Sequence, residues 1–321
     1  MKTYLCFLTV IIAFVLVGSS FVIDEPAAKA ALGKRLFFDP ILSRNRTVSC
    51  ATCHREEFAF ADTSVLSLGV LGRKGKRNTP SAMNVLLQNS FFWDGRANTL
   101  EEQALIPIAN PDEMDLPIEV AVKRLNTSRT YRASFRQVFG ELPSKTNLAQ
   151  ALAMFQQTLE TNESPVDDWR MNDNEAAVSE SAKRGFALFN GKANCVQCHF
   201  GANFNSSEFR NIGLFNGKTL ADSGRAAITK RAGDLGKFKI GPLRNVALTA
   251  PYMHNGMFKT LTQVIDYYDD PDKVVPNAIN RDPLLAKPLG LTRQEKMDLE
   301  AFLRSLTDKR FMVKAKSGPK T

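Results

Sequence analysis

Histidine is scarce in this chain, and the scarcity limits where a metal ion can be bound. Only three of the 321 residues are histidines, at positions 54, 199 and 254. Two of them, His54 and His199, directly follow a pair of cysteines. Any further site that needs an imidazole therefore depends on His254 alone.

Stretches of alternating apolar and polar residues are almost missing, which argues against a protein built on β-sheets. Helical spacing is present instead: Ala27–Phe38 has Ala28, Leu32 and Leu36 on one face and ends at Asp39-Pro40. The sequence predicts a mainly α fold with long loops.

Three later stretches also have the spacing of helices. One begins at Ser179 and runs through Phe186 and Phe189, followed after a short loop by Cys195. Another is predicted behind an Asn147 cap, and the last behind the capping box Thr292–Glu295. Their apolar positions are Leu148, Leu152, Phe155 and Leu159 in the second, and Leu299, Phe302, Leu303 and Leu306 in the third.

Cysteines are few, and four of the five form two Cys-x-x-Cys-His motifs, Cys50–His54 and Cys195–His199. The motifs start 145 residues apart, whereas zinc ribbons commonly have about 15–20 residues between their pairs. The flanks also lack the βαβ pattern of a thioredoxin-like dithiol. A histidine after each pair indicates covalent haem attachment, so the sequence predicts two c-type haems with His54 and His199 as iron ligands.

The fifth cysteine, Cys6, lies in the apolar run Leu5–Val17, which follows Met1-Lys2 and is interrupted by Gly18–Ser20. This order is typical of a secretory signal peptide, predicted here for residues 1–20. An uncleaved anchor over Tyr4–Ile23 is the alternative, because this segment approaches the roughly 20 residues that span a bilayer. Either interpretation predicts export to the periplasm.

The length suits two domains, and we expect one haem in each. We place them at residues 21–165 and 166–321, with the polar stretch Thr161–Glu180 as the linker. The net charge of +9 fits a solvated basic surface or an acidic electron-transfer partner, and nucleic acid is not needed to explain it.

The segment Phe91–Gln103, continuing through Pro107 to Asn110–Met114, closely resembles the bacterial di-haem cytochrome c peroxidases and their MauG-type relatives. The similarity extends over nearly the whole chain after the signal. Further matching stretches are Leu36–Pro40, Arg77–Pro80 and Ala250–His254.

The resemblance implies that the first haem is the peroxide site, with Gln103 as the distal glutamine and Glu113 as the acid–base residue. Cleavage of the O–O bond needs a group that moves a proton between the two oxygens, and a sheltered carboxylate can do so. Trp93 matches the aromatic residue between the haems. The family also implies a calcium ion held by Asn78 and by main-chain oxygens of Thr249 and Pro251, ligands that suit calcium.

Two departures from the peroxidases concern the iron ligands. Their Ser-x-Gly-His-Gly loop carries a histidine that blocks the peroxide-site iron, but here Val70 stands in that place within Ser67–Gly72. An aliphatic side chain cannot bind iron, so we expect an open first haem.

The family places the distal ligand of the second haem fourteen residues after the histidine of Ala250–His254, which leads to Tyr268. MauG-like proteins use tyrosine there, where peroxidases use methionine. Tyr267, Met253 and Met257 are alternatives, and His254 is expected to be structural.

These features predict a periplasmic di-haem peroxidase that takes electrons from a small cytochrome c or cupredoxin. The first alternative is a MauG-like enzyme that oxidises side chains of a partner protein, although Ala193 occupies the position of MauG's surface tryptophan. A pure electron-transfer cytochrome is the second alternative. A homodimer is known for many relatives and is an open expectation here.

Overall fold

A computed structural model of the chain describes residues 25–86 and 88–316, with side chains described as far as residue 312. The predicted signal peptide, the anchor alternative and Cys6 lie outside the described residues. In the part that is described, no helix has the length and apolar character needed to cross a membrane.

The described residues are mainly helical, as predicted. Their α-helices are α1 Glu25–Phe38, α2 Cys50–Cys53, α3 Leu100–Ala109, α4 Ile118–Thr127, α5 Arg129–Phe139, α6 Lys145–Gln157, α7 Pro165–Met171, α8 Glu180–Asn190, α9 Ala226–Thr229, α10 Leu261–Asp269, α11 Arg293–Ser305 and α12 Lys309–Lys316. Two strands, β1 Phe209–Arg210 and β2 Phe238–Lys239, pair antiparallel. Short 3₁₀ turns lie at Pro40–Leu42, Glu56–Phe58, Val70–Gly72, Cys195–Gln197, Ala232–Asp234, Val246–Leu248, Pro271–Lys273 and Pro283–Leu285.

The first half of the chain is organised by the crossing of α1 and α6. Gly33 lies at the crossing, where an added Cβ would come within 1.8 Å of the Ala151 carbonyl oxygen. The absence of a side chain at Gly33 therefore sets how closely the two helices approach. Leu36 of α1 and Leu152 of α6 are buried in the core that forms around them.

The second half repeats this arrangement with α8 and α11. An added Cβ at Gly185 would come within 1.9 Å of the Asp298 carbonyl oxygen. As predicted, the terminal helix α11 starts at a capping box formed by Thr292 and Glu295, and it packs against the helix that precedes the second motif. Phe189 and Phe302 are buried between the two helices.

The predicted cap of α6 was wrong by three residues. Ser144 caps the helix and accepts a hydrogen bond from the Asn147 backbone N–H, while the Asn147 side chain accepts one from Ser144. Asn147 is therefore the third residue of a capping box. Leu159 lies beyond the end of α6 but is still buried in the first core.

The predicted linker is a packed segment. It contains α7, which begins behind Ser164 and buries Val166 in the second core. Asp167 forms a buried ion pair with Arg244 at 2.7 Å. A polar composition suggested a loop, but these residues are polar because they cap a helix and form buried ion pairs.

The buried residues of the four core clusters follow the two halves of the sequence with one exception. Phe311, in the C-terminal helix α12, packs into the first core. The end of the chain therefore returns to the first half, and Lys309 of the same helix pairs with Asp168 of α7 at 2.6 Å.

Candidate functional site

The first cysteine motif lies on the short helix α2, which follows directly from the loop after α1. His54 ends this helix, and its Nδ1 donates to the Phe60 carbonyl at 2.9 Å, which leaves Nε2 as the nitrogen that can bind a metal. Burial lowers the pKa of His54, so the ring is neutral and suited to be a ligand.

The second motif forms a 3₁₀ turn instead of an α-helical turn, but its histidine is held in the same way. The Nδ1 of His199 donates to the Phe204 carbonyl at 2.8 Å, and burial again lowers the pKa of the ring. Both imidazoles are thus oriented by a carbonyl five or six residues downstream.

The four cysteines are free and do not gather into a metal cluster. Burial raises the pKa of Cys50 and Cys195 to about 12 and that of Cys53 to about 11, so these are neutral thiols. Zinc sites need thiolates. Among the described residues, no group of three or more His, Cys, Asp or Glu side chains could hold a metal ion. The described residues therefore do not form the cluster of four ligands that a structural zinc site uses.

A cavity of about 710 Å³ opens beside the first motif and is lined on one side by Cys50, Cys53 and His54. Its volume lies within the range of roughly 300–1,000 Å³ that is usual for organic ligands and cofactors. His54 is the only histidine among the described residues that line it.

Gln103 and Glu113 both line this cavity, so the fold brings together two residues that the resemblance linked to peroxide. Gln103 lies on α3, and its Oε1 is buried without a hydrogen-bond partner. A buried amide oxygen is rarely left unpaired unless a ligand or water completes its environment. The orphaned oxygen and the cavity therefore fit a bound haem with a small ligand on its open side.

Glu113 lies in the turn after α3 and is half-buried at the cavity, a position that suits proton transfer. Burial raises its pKa, although Asn110 donates a hydrogen bond of 2.6 Å to Oε1 and Arg96 adds a favourable charge. The sequence could not show this burial, because an Asn-Pro-Asp-Glu turn is more often exposed.

Val70, which replaces the blocking histidine of the peroxidases, is completely buried in the first core. Its backbone N–H donates to the Glu113 carbonyl at 2.8 Å. An added Cβ at Gly69 would lie 2.2 Å from the Asp112 carbonyl oxygen, so the loop packs tightly on the turn that carries Glu113. This contact fixes Val70 beside the acid–base candidate.

Trp93 lies in the cavity wall and joins the two halves of the chain. Its Nε1 donates to the Asn78 carbonyl at 2.8 Å, and its ring meets the His254 ring edge to face at 6.5 Å. His254 stacks in turn on Phe238 at 3.7 Å, and burial lowers its pKa to about 4. The imidazole is therefore neutral and packed between aromatic rings, as a structural residue would be.

The three predicted calcium ligands belong to two segments that lie next to each other. The backbone N–H of Asn78 donates to the His254 carbonyl at 2.7 Å, three residues after Pro251. The side-chain nitrogen Nδ2 of Asn78 donates to the carbonyls of Ser64 and Val65, so the side-chain oxygen Oδ1 is available for another partner. Thr249 follows the 3₁₀ turn Val246–Leu248.

The two tyrosines of α10 have different surroundings. Tyr267 is fully buried and donates its hydroxyl to the Ile212 carbonyl at 2.6 Å. The Tyr268 hydroxyl makes no hydrogen bond with the described residues, and burial followed by the charges of Tyr267, Cys198 and Cys195 raises its pKa. Tyr268 therefore faces the second motif with a hydroxyl that has no hydrogen-bond partner among the described residues. The Tyr267 hydroxyl is already hydrogen-bonded to Ile212.

Sequence reasoning missed a group of charged residues at the cavity. Arg77 binds Asp222 at 2.7 Å and Asp94 at 2.6 Å, and thus connects the two halves. Arg96 also binds Asp94, and Lys239 reaches the same cavity from β2. Arg77 belongs to a matching stretch of the resemblance, but nothing in one sequence pairs it with an aspartate 145 residues away.

Together these features define a class of protein: a helical oxidoreductase with two covalent haem sites, one of which faces a cavity with a glutamine and a half-buried glutamate. The profile of the di-haem cytochrome c peroxidase family matches residues 27–175. The methylamine utilization protein MauG of Methylorubrum extorquens is 40% identical over 280 residues, which cover 87% of this chain and 78% of that protein.

Cytochrome c551 peroxidase of Nitrosomonas europaea is 38% identical and covers 76% of this chain and 74% of its own length. Among solved structures, a MauG-like protein associated with microbial copper homeostasis superposes with a TM-score of 0.80 at 33% identity, over 91% of each chain. The chain belongs to the di-haem cytochrome c peroxidase family. The family has two c-type haems, and the two motifs provide one attachment site each.

Proposed function

We propose that this enzyme reduces hydrogen peroxide at a haem attached to Cys50 and Cys53 and ligated by His54. Cys195 and Cys198 would attach a second haem and His199 would ligate it, and this haem would supply the entry point for electrons from outside. The observation that carries this proposal is the cavity of about 710 Å³ in which His54, Gln103 and Glu113 meet.

Bound haem supplies the iron that accepts peroxide and the electrons that cleave its O–O bond. Glu113 takes the proton from one peroxide oxygen and returns it to the other, and burial raises its pKa, which makes its acid form easier to reach than in an exposed glutamate. Asn110 holds the Glu113 carboxylate through its 2.6 Å hydrogen bond, and Gln103 orients peroxide. Two protons and two electrons are consumed for each peroxide, and two waters form.

Trp93 is proposed to carry electrons between the halves. Its indole is fixed by Asn78, packs against His254, and lies in the cavity wall that both halves contribute to. We retain residues 21–165 and 166–321 as the two haem domains, with α12 returning to the first.

The first haem is proposed to be open in the resting enzyme. Val70 has no metal-binding atom and is fixed by the Glu113 carbonyl. We propose Tyr268 as the distal ligand of the second haem, because Tyr267 donates its hydroxyl to Ile212 while the Tyr268 hydroxyl has no partner.

A MauG-like oxidation of a partner protein is the second candidate function. The free Tyr268 phenol favours it, since a phenolate stabilises ferric and higher oxidation states of iron. Ala193 argues against it, because this residue is buried where MauG has a surface tryptophan.

Steady-state turnover separates the two candidates. Peroxide should be consumed with reduced small cytochrome c or cupredoxin as donor, at a rate that saturates with donor concentration. If no donor is oxidised while a partner protein gains oxidised side chains, the MauG-like function replaces the peroxidase.

We further propose a calcium ion at Asn78, Thr249 and Pro251. Neutral oxygen ligands of this kind suit calcium, and the hydrogen bond from Asn78 to His254 keeps the two ligand segments together. Removal of calcium by a chelator should change the spectrum of the haems, and Asn78→Ala should weaken calcium binding without affecting haem attachment.

The proposed location is the periplasm, where thioether linkage keeps the haem attached in an open compartment. The excess of basic residues supports docking of an acidic donor protein. Association of two copies is a further proposal, and light scattering of the holoenzyme tests it.

A further inference from the structure

Lys239 is a half-buried cation that forms no ion pair with the described residues. It belongs to β2 in the second half of the chain, yet it lines the cavity beside His54. Its Nζ donates to Gln88 Oε1 and, at 2.8 Å, to the Ser90 carbonyl, which are both neutral acceptors. Burial lowers its pKa to about 8, and no neighbouring carboxylate offsets that effect.

The aspartates that line the same cavity lie close to other cations. Asp94 and Asp222 bind Arg77 at 2.6 and 2.7 Å, and Asp94 also binds Arg96 at 3.0 Å. Asp112 lies 4.0 Å from Lys76.

Glu113 accepts from Asn110, and burial keeps its pKa high. None of these carboxylates forms an ion pair with Lys239, so this ammonium in the cavity wall has no anionic partner among the described residues. A largely desolvated ammonium without an anion is unfavourable.

We propose that Lys239 binds a propionate carboxylate of the haem attached to Cys50 and Cys53. An ammonium has three hydrogen-bond donors, and two of those of Lys239 are used by Gln88 and Ser90. The third is available for an anion in the cavity. A haem brings carboxylates of its own, so the ligand that fills the cavity also supplies the missing charge.

Lys239 also contacts Trp93 through its backbone. Its backbone N–H donates to the Trp93 carbonyl at 2.8 Å, so one residue of the second half holds both the first haem and the tryptophan between the halves. Lys239 is a positioning residue in this account and takes no part in proton transfer.

The test is a redox titration of the holoenzyme with the two haems resolved by their optical spectra. A positive charge near a haem favours the ferrous state, so Lys239→Met should lower the midpoint potential of the His54 haem and leave that of the His199 haem in place. Lys237→Met is the matched control, because Lys237 lies two residues away and pairs with Asp234 at 3.4 Å near the surface. It should shift neither potential.

Two further variants keep the test decisive if Lys239→Met does not retain its haems. Lys239→Gln removes the charge but keeps a hydrogen-bond donor, and it should lower the potential of the His54 haem. Lys239→Arg keeps the charge and should stay close to the unmodified enzyme.

An unchanged His54 potential in Lys239→Gln, or a shift confined to the His199 haem, would overturn the proposal. The inference depends on haem at His54 and not on peroxide reduction. Loss of peroxide turnover with normal potentials would contradict the proposed function and leave this inference standing.

Discussion

The two halves of the molecule share one scaffold and differ where it faces the cofactor. In each, a helix before the haem motif crosses a later helix at a glycine, Gly33 or Gly185, and the motif histidine donates to a carbonyl just downstream. The first half adds a cavity with Gln103 and Glu113, while the second places Tyr268 against its motif. The common scaffold therefore accounts for haem attachment in both halves. The proposed reactivity of the first haem depends on residues that differ between the halves.

The largest effect should come from removing Glu113, the proposed distal base of the first half. Glu113→Gln is expected to lower kcat for peroxide by about 10²–10⁴-fold, the usual contribution of a positioned acid–base group. Glu119→Gln, on the exposed side of α4, is the control and should keep normal turnover. An equal loss in both variants would contradict the role of Glu113.

The pH dependence of kcat offers a second view of the same residue. Burial raises the pKa of Glu113, so its basic form is lost as pH falls through a value above that of an ordinary glutamate. The acidic limb of the kcat profile should follow this raised pKa and disappear in Glu113→Gln. A limb that persists in the variant belongs to another group.

The shared scaffold predicts matched effects on stability. Gly33→Ala and Gly185→Ala each place a Cβ within 1.9 Å of a carbonyl oxygen, so each should lower the free energy of unfolding by at least about 1–3 kcal/mol through overpacking. Haem absorbance during denaturant unfolding should show which half is affected. Gly233→Ala is the control, because no atom lies within 4 Å of an added Cβ there. Equal stability of all three variants would show that the crossings are looser than described.

The variant Tyr268→Phe tests whether Tyr268 ligates the second haem. The EPR and optical spectra of the His199 haem should change while those of the His54 haem stay constant. Tyr267→Phe removes only the hydrogen bond to Ile212, which contributes about 0.5–1.5 kcal/mol to stability, and should preserve both spectra. The reverse result would make Tyr267 the ligand.

The smallest expected effect is on the stability of the fold at acid pH. The α1–α6 and α8–α11 crossings should differ in this stability. Arg184 and Ser181 bind the Asp298 carboxylate and lower its pKa from 3.8 to about 2. The stabilisation is complete above the unfolded pKa and is lost as pH falls from about 4 to 2.

Because Arg184 is more than half exposed, we expect only a small contribution to stability from this pair. Asp298→Asn should remove the acid transition of the second half. The α1–α6 crossing has Ala151 in the corresponding place, so it should serve as the internal reference. Identical acid unfolding of the variant and the parent protein would exclude this role.

Much of the fold was predictable from local signals. The helices around Leu36 and Phe302 were indicated by their spacing, and the haem motifs by their cysteines and histidines. The cap of α6 was misplaced because Ser144 and Asn147 are both good capping residues. The segment of α7 was taken for a linker because the carboxylate of Asp167, which pairs with Arg244, looks like a solvated residue in the sequence.

The sequence by itself determined that the chain is helical and that it carries two haem-attachment motifs, and it predicted that Val70 and Tyr268 stand where the peroxidases have iron ligands. These properties depend on residue type and short spacing. Only the tertiary structure decided that Glu113 lies half-buried at the first cavity, that Tyr267 is already hydrogen-bonded, and that Lys239 reaches this cavity from the second half. Burial, hydrogen-bond partners and unmatched charge depend on residues far apart in the chain, and folding alone brings them together.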